Sequence, residues 1–307
     1  MRHVCLVLVA VVAGLGARAS AAPFESAKVP DRAQAIGHLD VDALRKTQLF
    51  ATAGGQAMID AALDDALDGA PAKLRPVARS LSRSLRGVSF WRDTEHGAVY
   101  VDTRDSKGLG QLIAGLPVTP APAIDGFPSY TLHTGSDREG YCAAFGDTLV
   151  LADSAESLER SIRVLSGKAV SLAGRVPAAA RNGVFVFVAL SDTALGAIQK
   201  SAQSKVLQLG LRSLVVDVDE SGGMVTASAR AEMRTADALQ KAKSIVEGLR
   251  AMASLAADDA AAHTLLDAVT VSARGLTLEV NGALSPAELI KLVHAAGDAH
   301  GHHHDHK

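Results

Sequence analysis

Cysteine is almost absent from this chain. Its 307 residues include two cysteines, and Cys5 lies in an apolar N-terminal segment that we expect to be removed. Cys142 alone cannot form an intramolecular disulfide, so the fold must be held together by its core. Its surroundings, Gly140-Tyr-Cys-Ala-Ala-Phe145, are typical of a strand, where free cysteine behaves as a small buried hydrophobe. We predict that Cys142 is a core residue and not a nucleophile.

Aromatic residues and catalytic motifs are also scarce. Phe, Trp and Tyr make up 4% of the chain, which leaves little stacking surface for sugars or bases. The sequence contains no G-x-S-x-G, S-x-x-K, H-E-x-x-H, C-x-x-C, Walker or dinucleotide-binding motif. These absences favour a non-catalytic protein. They do not exclude an enzyme, because a catalytic triad can be assembled from residues far apart in the sequence and is defined by its geometry.

Neither sign of charge is in large excess. Lys and Arg number 31 against 33 Asp and Glu, a net charge of −2. Removing residues 1–21 would remove Arg2 and Arg18, leaving 29 basic against 33 acidic residues and a net charge of −4. A nucleic-acid-binding protein needs a basic face that releases phosphate counterions. We therefore expect no nucleic acid as partner, but an unknown protein or small ligand.

Long hydrophobic runs are missing as well, except for a short one at the N-terminus. Arg2 and His3 precede the apolar stretch 4–16, and Ala19-Ser-Ala21 provides the small residues of a signal-peptidase site. The stretch is shorter than the roughly 20 residues of a membrane-spanning helix. We predict a signal peptide at 1–21, a periplasmic or secreted protein and no membrane span after cleavage. An uncleaved N-terminal anchor is the alternative.

The same order of strands and helices occurs twice. Residues 86–103 read as a strand, a polar turn and a second strand, and a helical pattern follows from Ser106 to Leu116. Residues 212–229 repeat this order before a helical pattern from Thr235 to about Leu255. Period-two alternation of apolar residues predicts the strands.

A second block recurs in the same way. The hairpin 141–152 precedes a helix at 154–162, and the hairpin 269–280 precedes a helix at 285–293. Each helix has a serine at its expected N-cap and a glutamate in its first turn. Equivalent residues of the two blocks are separated by nearly the same number of positions, which indicates a duplication.

We therefore predict an α+β fold of two tandem similar halves, each an antiparallel sheet with helices packed on one face. The predicted division of the chain is a signal peptide at 1–21, a first half at 28–174, a second half at 177–293 and a flexible His-rich tail at 294–307. Each half opens with a strand that feeds a helix, at 35–40 and at 184–189. The four prolines between Pro117 and Pro128 predict an exposed loop inside the first half.

Two stretches carry a resemblance to known proteins: Ile36-Gly-His-Leu-Asp-Val-Asp-Ala-Leu44, and Phe145-Gly-Asp-Thr-Leu-Val-Leu-Ala152 followed by Ser154-Ala-Glu-Ser-Leu158. They resemble a loose group of exported bacterial proteins of unknown function, in which a signal peptide precedes two related α+β halves. The resemblance implies the fold and the export. It implies no activity and no catalytic residues.

The C-terminal tail is the segment that hints at metal chemistry. Of the chain's 11 histidines, six follow Val293, and five of these form a cluster with one carboxylate: His300, His302, His303, His304, Asp305 and His306. Imidazole suits Zn, Ni or Cu, and the carboxylate adds an oxygen ligand. We predict a Zn, Ni or Cu site here and no required cofactor elsewhere. The alternative is an unselected polar tail, or a remnant of protein production, that binds metal incidentally.

Two other patterns only partly match functional sites. Asp217-Val-Asp-Glu-Ser-Gly222 begins like a calcium loop, but Ser228 stands where a bidentate glutamate is required, so we predict a hairpin turn. Asp40 and Asp42 could form a glycosidase-type pair, but Asp42 fits better as the N-cap of the helix that follows. Four scattered histidines lack serine or carboxylate partners at recognisable spacing: His38, His96, His133 and His263.

These observations favour an exported, non-catalytic binding or accessory protein of unknown partner, whose halves present a surface or cleft. One alternative is an extracytoplasmic metal-binding or metal-buffering protein that acts through the His-rich tail. The other is an enzyme of unrecognised type with its site between the halves. The sequence identifies no catalytic or cofactor-binding residue.

Overall fold

The structure is a computed structural model that describes residues 24–55, 79–80, 82–133, 139–173, 184–195, 210–256, 263 and 266–291. Its strands are β1 Ala35–Asp40, β2 Leu85–Arg92, β3 Gly97–Thr103, β4 Val118–Ile124, β5 Phe127–His133, β6 Glu139–Phe145, β7 Thr148–Ala152, β8 Val184–Ser191, β9 Leu211–Ser221, β10 Met224–Met233, β11 Val269–Arg274 and β12 Thr277–Leu284. Its main helices are α1 Val41–Leu44, α2 Gln48–Thr52, α3 Ser106–Gly115, α4 Ala155–Leu165, α5 Ala236–Ala256 and α6 at 286–291. The predicted signal peptide, the boundary between the halves and the His-rich tail lie outside the described residues.

All twelve strands form one antiparallel sheet, and it consists of two similar sets that meet at its centre. Outward from the centre, one set runs β1-β2-β3-β7-β6 and the other β8-β9-β10-β12-β11. The helices of the two sets also correspond. α3 follows β3 as α5 follows β10, and α4 follows the hairpin β6–β7 as α6 follows the hairpin β11–β12. The predicted α+β class with two tandem similar halves is confirmed.

The two sets are joined directly, which the sequence did not predict. β1 pairs with β8 from Ala35 opposite Leu190 to Leu39 opposite Val186. Where the described halves meet there is accordingly a ladder of backbone hydrogen bonds, and not a cleft between two separate sheets. The extra hairpin β4–β5 extends the sheet beyond β6 in the first half.

Equivalent helices of the two halves start on equivalent capping side chains. The caps are Asp40, Asp105 and Ser154 in the first half and Ser191, Thr235 and Ser285 in the second. Each accepts the backbone N–H three residues further on, and thereby satisfies a donor that the helix start leaves unpaired. The predicted caps Ser154 and Ser285 are confirmed. Glu288 completes a capping box by accepting the N–H of Ser285 at 2.9 Å.

Helices pack on both faces of the first half, and not on one face as the sequence predicted. Leu158 and Ile162 of α4 are buried in the core that contains Val150, whereas α3 buries Leu109 against a second core that contains Leu149. Successive strand residues point to opposite faces, so Leu149 and Val150 belong to different cores. Each fully buried side chain of this size contributes about 1.5–3 kcal/mol.

Cys142 is fully buried in the second of these cores, as predicted. Burial raises the pKa of its thiol to about 11. The thiolate is the reactive form of cysteine, so this side chain is inert at neutral pH. It fills space between β6 and α3.

Residues 117–128 are not the loop that their prolines predicted. β4 and β5 form a hairpin at one edge of the sheet, with a turn at Asp125 and Gly126, whose φ angles are 53° and 88°. An edge strand has one side without a partner, so Pro120 and Pro122 can lie in β4 even though proline lacks an N–H. The prolines therefore marked an edge strand.

The turn between β9 and β10 is the hairpin that the calcium-like pattern was predicted to form. β9 continues to Ser221, β10 begins at Met224, and Gly222 and Gly223 have φ angles of 58° and 77°. Asp217 accordingly lies within a strand. Among the helices in the described ranges, none has the length and apolar content needed to span a membrane.

Candidate functional site

A fully buried carboxylate, Asp42, lies among three arginines where β1 passes into α1. Asp40 ends β1 and caps α1, because its Oδ1 accepts the N–H of Ala43 at 2.8 Å. The prediction that Asp42 is the cap is therefore wrong. Asp42 occupies the first turn of α1, and its two oxygens are held by arginines. The two aspartates have separate partners and do not form a glycosidase-type pair.

Arg45 holds the first oxygen of Asp42 from inside the protein. Its side chain is 1% exposed, and Nη1 lies 3.2 Å from Asp42 Oδ1. The guanidinium also donates to three backbone carbonyls just before and at the start of β2, those of Ser82, Arg83 and Leu85, at 2.8–3.4 Å. The first two carbonyls end a helical segment, and a helix C-terminus carries partial negative charge. Burial lowers the pKa of Arg45 to about 10, against the opposing effect of Asp42, so Arg45 remains charged at neutral pH.

Two further arginines approach the second oxygen of Asp42 from the solvent side. Arg104 Nη2 hydrogen-bonds to Oδ2, and Arg86 Nε lies 3.9 Å from the same oxygen. Their side chains are 37% and 39% exposed. The bulge between Leu85 and Gly87 leaves Arg86 without a cross-strand partner on β3, and bulges redirect side chains in this way. One carboxylate thus faces three guanidinium groups, two of which reach solvent.

The second half contains a simpler form of the same arrangement. Arg234 corresponds to Arg104, since each donates its N–H at 2.9 Å to the residue before the second strand of its half. The guanidinium of Arg234 binds both oxygens of Asp192, in the helical turn that follows β8. This pair is exposed, at 55% for Arg234 and 48% for Asp192. An ion pair therefore links the same two elements in both halves.

The bulge is also repeated, but its arginine has a different partner. Arg212 corresponds to Arg86, because Leu211 and Ser213 of β9 pair with Met233 and Glu232 and leave Arg212 unpaired. Arg212 Nη1 lies 3.1 Å from Glu232 Oε1. In the second half Arg212 and Arg234 thus each have a carboxylate of their own, whereas in the first half Arg45, Arg86 and Arg104 share Asp42. We name these three arginines and Asp42 the arginine cluster.

The arginine cluster can bind an anion but not a metal ion. A guanidinium fork donates two parallel hydrogen bonds to a carboxylate or phosphate, and its charge repels cations. Within the ranges that the structure describes, no three His, Cys, Asp or Glu side chains gather closely enough to hold a metal. The predicted metal ligands His300, His302, His303, His304, Asp305 and His306 lie outside those ranges.

His38 has a partner that sequence spacing could not reveal. Its Nδ1 lies 2.9 Å from Ser89 Oγ, because His38 and Ser89 are directly opposite each other in the β1–β2 pairing. The ring of Phe24 covers His38 with a centroid distance of 5.8 Å. Only the register between the two strands brings these residues together, so no motif marks them. His133 similarly contacts Thr119, at 3.2 Å across β4–β5.

His96 lies between a serine and a carboxylate. Its Nδ1 is 3.3 Å from Ser154 Oγ, and its Nε2 is 3.2 Å from Glu156 Oε2. Hydrolase triads have the same order of groups, but Ser154 Oγ here caps α4 by accepting the N–H of Ser157 at 3.1 Å. Glu156 is 60% exposed, with Arg160 2.7 Å from its other oxygen. The arrangement stabilises the start of α4.

The comparisons with known proteins identify a fold and no family. No protein-family model matches this chain, and no curated protein matches it. Crystal form III of TP0453 is similar, with a TM-score of 0.52 and 9% identity over 90% of this chain and 99% of TP0453. Crystal form IV gives a TM-score of 0.49 at 10% identity, over 89% of this chain and 97% of TP0453. At this identity the likeness shows the fold alone, and membership of the group of exported proteins stays a prediction.

Proposed function

We propose that this chain is an exported, non-catalytic binding protein whose ligand or partner presents an oxyanion to Arg86 and Arg104. The observation that carries the proposal is the surplus of positive charge in the arginine cluster. Asp42 balances one of the three cations. The carbonyls at the end of the helical segment before β2 offset part of the charge of Arg45. Among the residues that the structure describes, Arg86 and Arg104 therefore remain in excess.

The electrostatics of the cluster favour an added anion. Arg86 and Arg104 both contact Asp42 Oδ2, so their like charges are close together. Like charges repel more strongly near a protein surface than in bulk water, because the effective dielectric constant there is lower. An oxyanion placed between the guanidinium groups replaces this repulsion with attraction. The equivalent arginines of the second half have no such surplus, because Asp192 and Glu232 pair with them one to one.

Calorimetric titration tests the proposal, with inorganic phosphate as the tetrahedral probe and acetate as the planar one. Low ionic strength is needed because salt screens exposed charges. Arg86→Gln should weaken phosphate binding about tenfold or more, since a hydrogen bond to a charged group contributes roughly 1.5–3 kcal/mol. Arg212→Gln, at the equivalent bulge of the second half, is the matched control and should leave the affinity unchanged. Absence of binding by the wild-type protein, or equal effects of the two substitutions, would reject the site.

Export is the part of the proposal that the N-terminal sequence supports. If residues 1–21 are a signal peptide, protein recovered from outside the cytoplasm should begin at Ala22. Amino-terminal sequencing of that protein gives the answer. Recovery of the full-length chain from the membrane fraction would instead support the uncleaved anchor.

We also propose a second function, metal handling by the C-terminal tail, which rests on its cluster of five histidines and Asp305. Zn, Ni and Cu should bind the full-length chain and not a chain that ends at Leu292. Calorimetric titration of each metal into both proteins measures the difference. Equal binding by the two would exclude the tail as the metal site.

A further inference from the structure

Exposed basic residues continue on both sides of the arginine cluster. Arg83 lies three residues before Arg86, in the helical segment that precedes β2, and Lys107 lies three residues after Arg104, in the first turn of α3. Both residues are exposed, and within the described ranges neither forms an ion pair. We call Arg83, Arg86, Arg104 and Lys107 the basic rim.

The pairing of β2 with β3 brings the basic rim to one end of the sheet. Leu85 lies opposite Thr103, so the start of β2 is beside the end of β3, and neighbouring strands are about 4.8 Å apart. The backbone of Arg83 is held there too, because its carbonyl accepts a hydrogen bond from Arg45 Nη2 at 3.4 Å. Two basic residues from each strand end therefore lie along a single surface.

The acidic residues beside the basic rim neutralise little of its exposed charge. Asp40 and Asp105 each cap a helix by accepting a backbone N–H, at 2.8 and 2.7 Å. Asp102 lies 3.8 Å from Lys28 Nζ. Asp147 is exposed at the turn between β6 and β7. In the part of the chain that the structure describes, the four basic residues thus face a smaller number of acidic side chains without a cap or a cationic partner.

The fold itself does not require the basic rim. Asp237 stands in the first turn of α5, at the position that Lys107 has in α3, and it pairs with Lys241 at 2.7 Å. A cation near the positive end of a helix is unfavourable, whereas an anion there is favourable. Lys107 therefore does not serve the stability of α3. The second half builds the same elements with balanced charge, so the rim is a property of the first half.

We infer that the basic rim is the docking site of an acidic peptide segment of a partner protein. The inference rests on the anion site proposed above, which takes one oxyanion between Arg86 and Arg104. A single small anion leaves Arg83 and Lys107 unused. An extended segment advances about 3.3 Å per residue and presents alternate side chains on one side, so several of its carboxylates reach the rim together. Linked contacts of this kind strengthen one another because the first holds the next in place.

The openness of the surface favours a protein over a small ligand. Small-molecule sites are concave and enclose most of the ligand, whereas the side chains of Arg86 and Arg104 are 39% and 37% exposed. Charge disfavours nucleic acid, which needs a broad basic face. The whole chain has 31 basic and 33 acidic residues, so it repels a long polyanion. A short acidic stretch of an otherwise neutral protein avoids that repulsion.

Calorimetric titration of the full chain with hexaglutamate tests the inference, with both peptide termini blocked so that only side chains carry charge. An ionic strength of about 0.1 M largely screens charges more than about 10 Å apart. Hexaglutamate should bind about tenfold or more tightly than inorganic phosphate, because its contacts are linked. The double variant Arg83→Gln, Lys107→Gln should weaken hexaglutamate binding about fivefold, since each exposed ion pair contributes a few-fold in affinity. The same variant should leave phosphate binding nearly unchanged.

The matched control is Arg274→Gln, Lys291→Gln, which removes the same net charge from two exposed residues of the second half and should leave both affinities unchanged. If phosphate binds and Arg86→Gln weakens it, but hexaglutamate binds no more tightly or ignores the double variant, the acidic partner is wrong and the anion site stands. If neither probe binds, both proposals are rejected. Hexathymidylate that binds as tightly as hexaglutamate would overturn the inference in favour of nucleic acid.

Discussion

Replacing Asp42 with asparagine should destabilise this protein far more than the same change at Asp192. Asparagine keeps the size of the side chain and one carbonyl acceptor, but it removes the charge. In the first half this leaves Arg45, with 1% of its side chain exposed, as a buried cation without its carboxylate. In the second half it leaves Arg234, which is 55% exposed and can be hydrated.

The magnitude follows from this difference in burial. Removing one partner of a buried ion pair costs about 3–5 kcal/mol, because the remaining charge stays desolvated. Removing one partner of an exposed pair costs about 0.2–1 kcal/mol. The retained carbonyl acceptor and the three backbone carbonyls around Arg45 place Asp42→Asn near the lower end of its range. We expect a difference of about 2–3 kcal/mol between the two variants.

Urea unfolding followed by circular dichroism measures both variants under one set of conditions. If the free energy of unfolding falls with urea concentration at the same slope in both variants but the unfolding midpoints differ, the stability of the native state has changed and the unfolded state has not. Phosphate should restore part of the stability of Asp42→Asn, because the anion would take the place of the lost carboxylate among the arginines. If the two variants lose the same free energy of unfolding, the cluster does not depend on a buried charge and the reasoning is wrong.

Three further predictions concern single side chains. The thiol of Cys142, whose pKa burial raises to about 11, should not react with a thiol reagent at pH 8 until the protein is unfolded, as absorbance would show. Hydrogen bonds from Ser285 lower the pKa of Glu288, so their contribution is present above the unfolded pKa and lost as the pH falls through the folded one. Ser285→Ala should raise that pKa towards its usual value in an NMR titration; an unchanged pKa would exclude the Ser285 hydroxyl as a cause and leave its backbone N–H. A Cβ at Gly37 would lie 2.0 Å from Phe90 Cε1, so Gly37→Ala should cost about 1–3 kcal/mol, as overpacking does. The cost should largely disappear in a Phe90→Ala background, and an equal cost in both backgrounds would point to another source of strain.

The sequence predicted the local structure and missed the long-range contacts. The hairpin β6–β7 and the cap Ser154 were predictable because alternation and capping depend on residues close together in the chain. The pairing of β1 with β8 was not predictable, since it joins strands about 150 residues apart and neither strand has a sequence pattern that specifies its partner. The prolines of β4 suggested a loop because a sequence does not show which strand will be at an edge.

The candidate site divides in the same way. Asp42 and Arg45 are three residues apart at the start of a helix, a spacing that brings side chains together, so this pair could have been recognised. Arg104 reaches Asp42 from 62 positions further on, after β3. Its position depends on the β2–β3 hairpin and on the pairing of β1 with β2. Only the assembled sheet shows that three arginines share one carboxylate.

The ladder between β1 and β8 has a consequence for the history of this fold. Two copies of one half, related by a twofold axis and paired through their first strands, would produce the central part of this sheet with each copy encoded separately. A gene duplicated in tandem would then connect partners that already recognised each other. Either half produced by itself should accordingly have a first strand with one unpaired edge, and should form a dimer with a second molecule of itself.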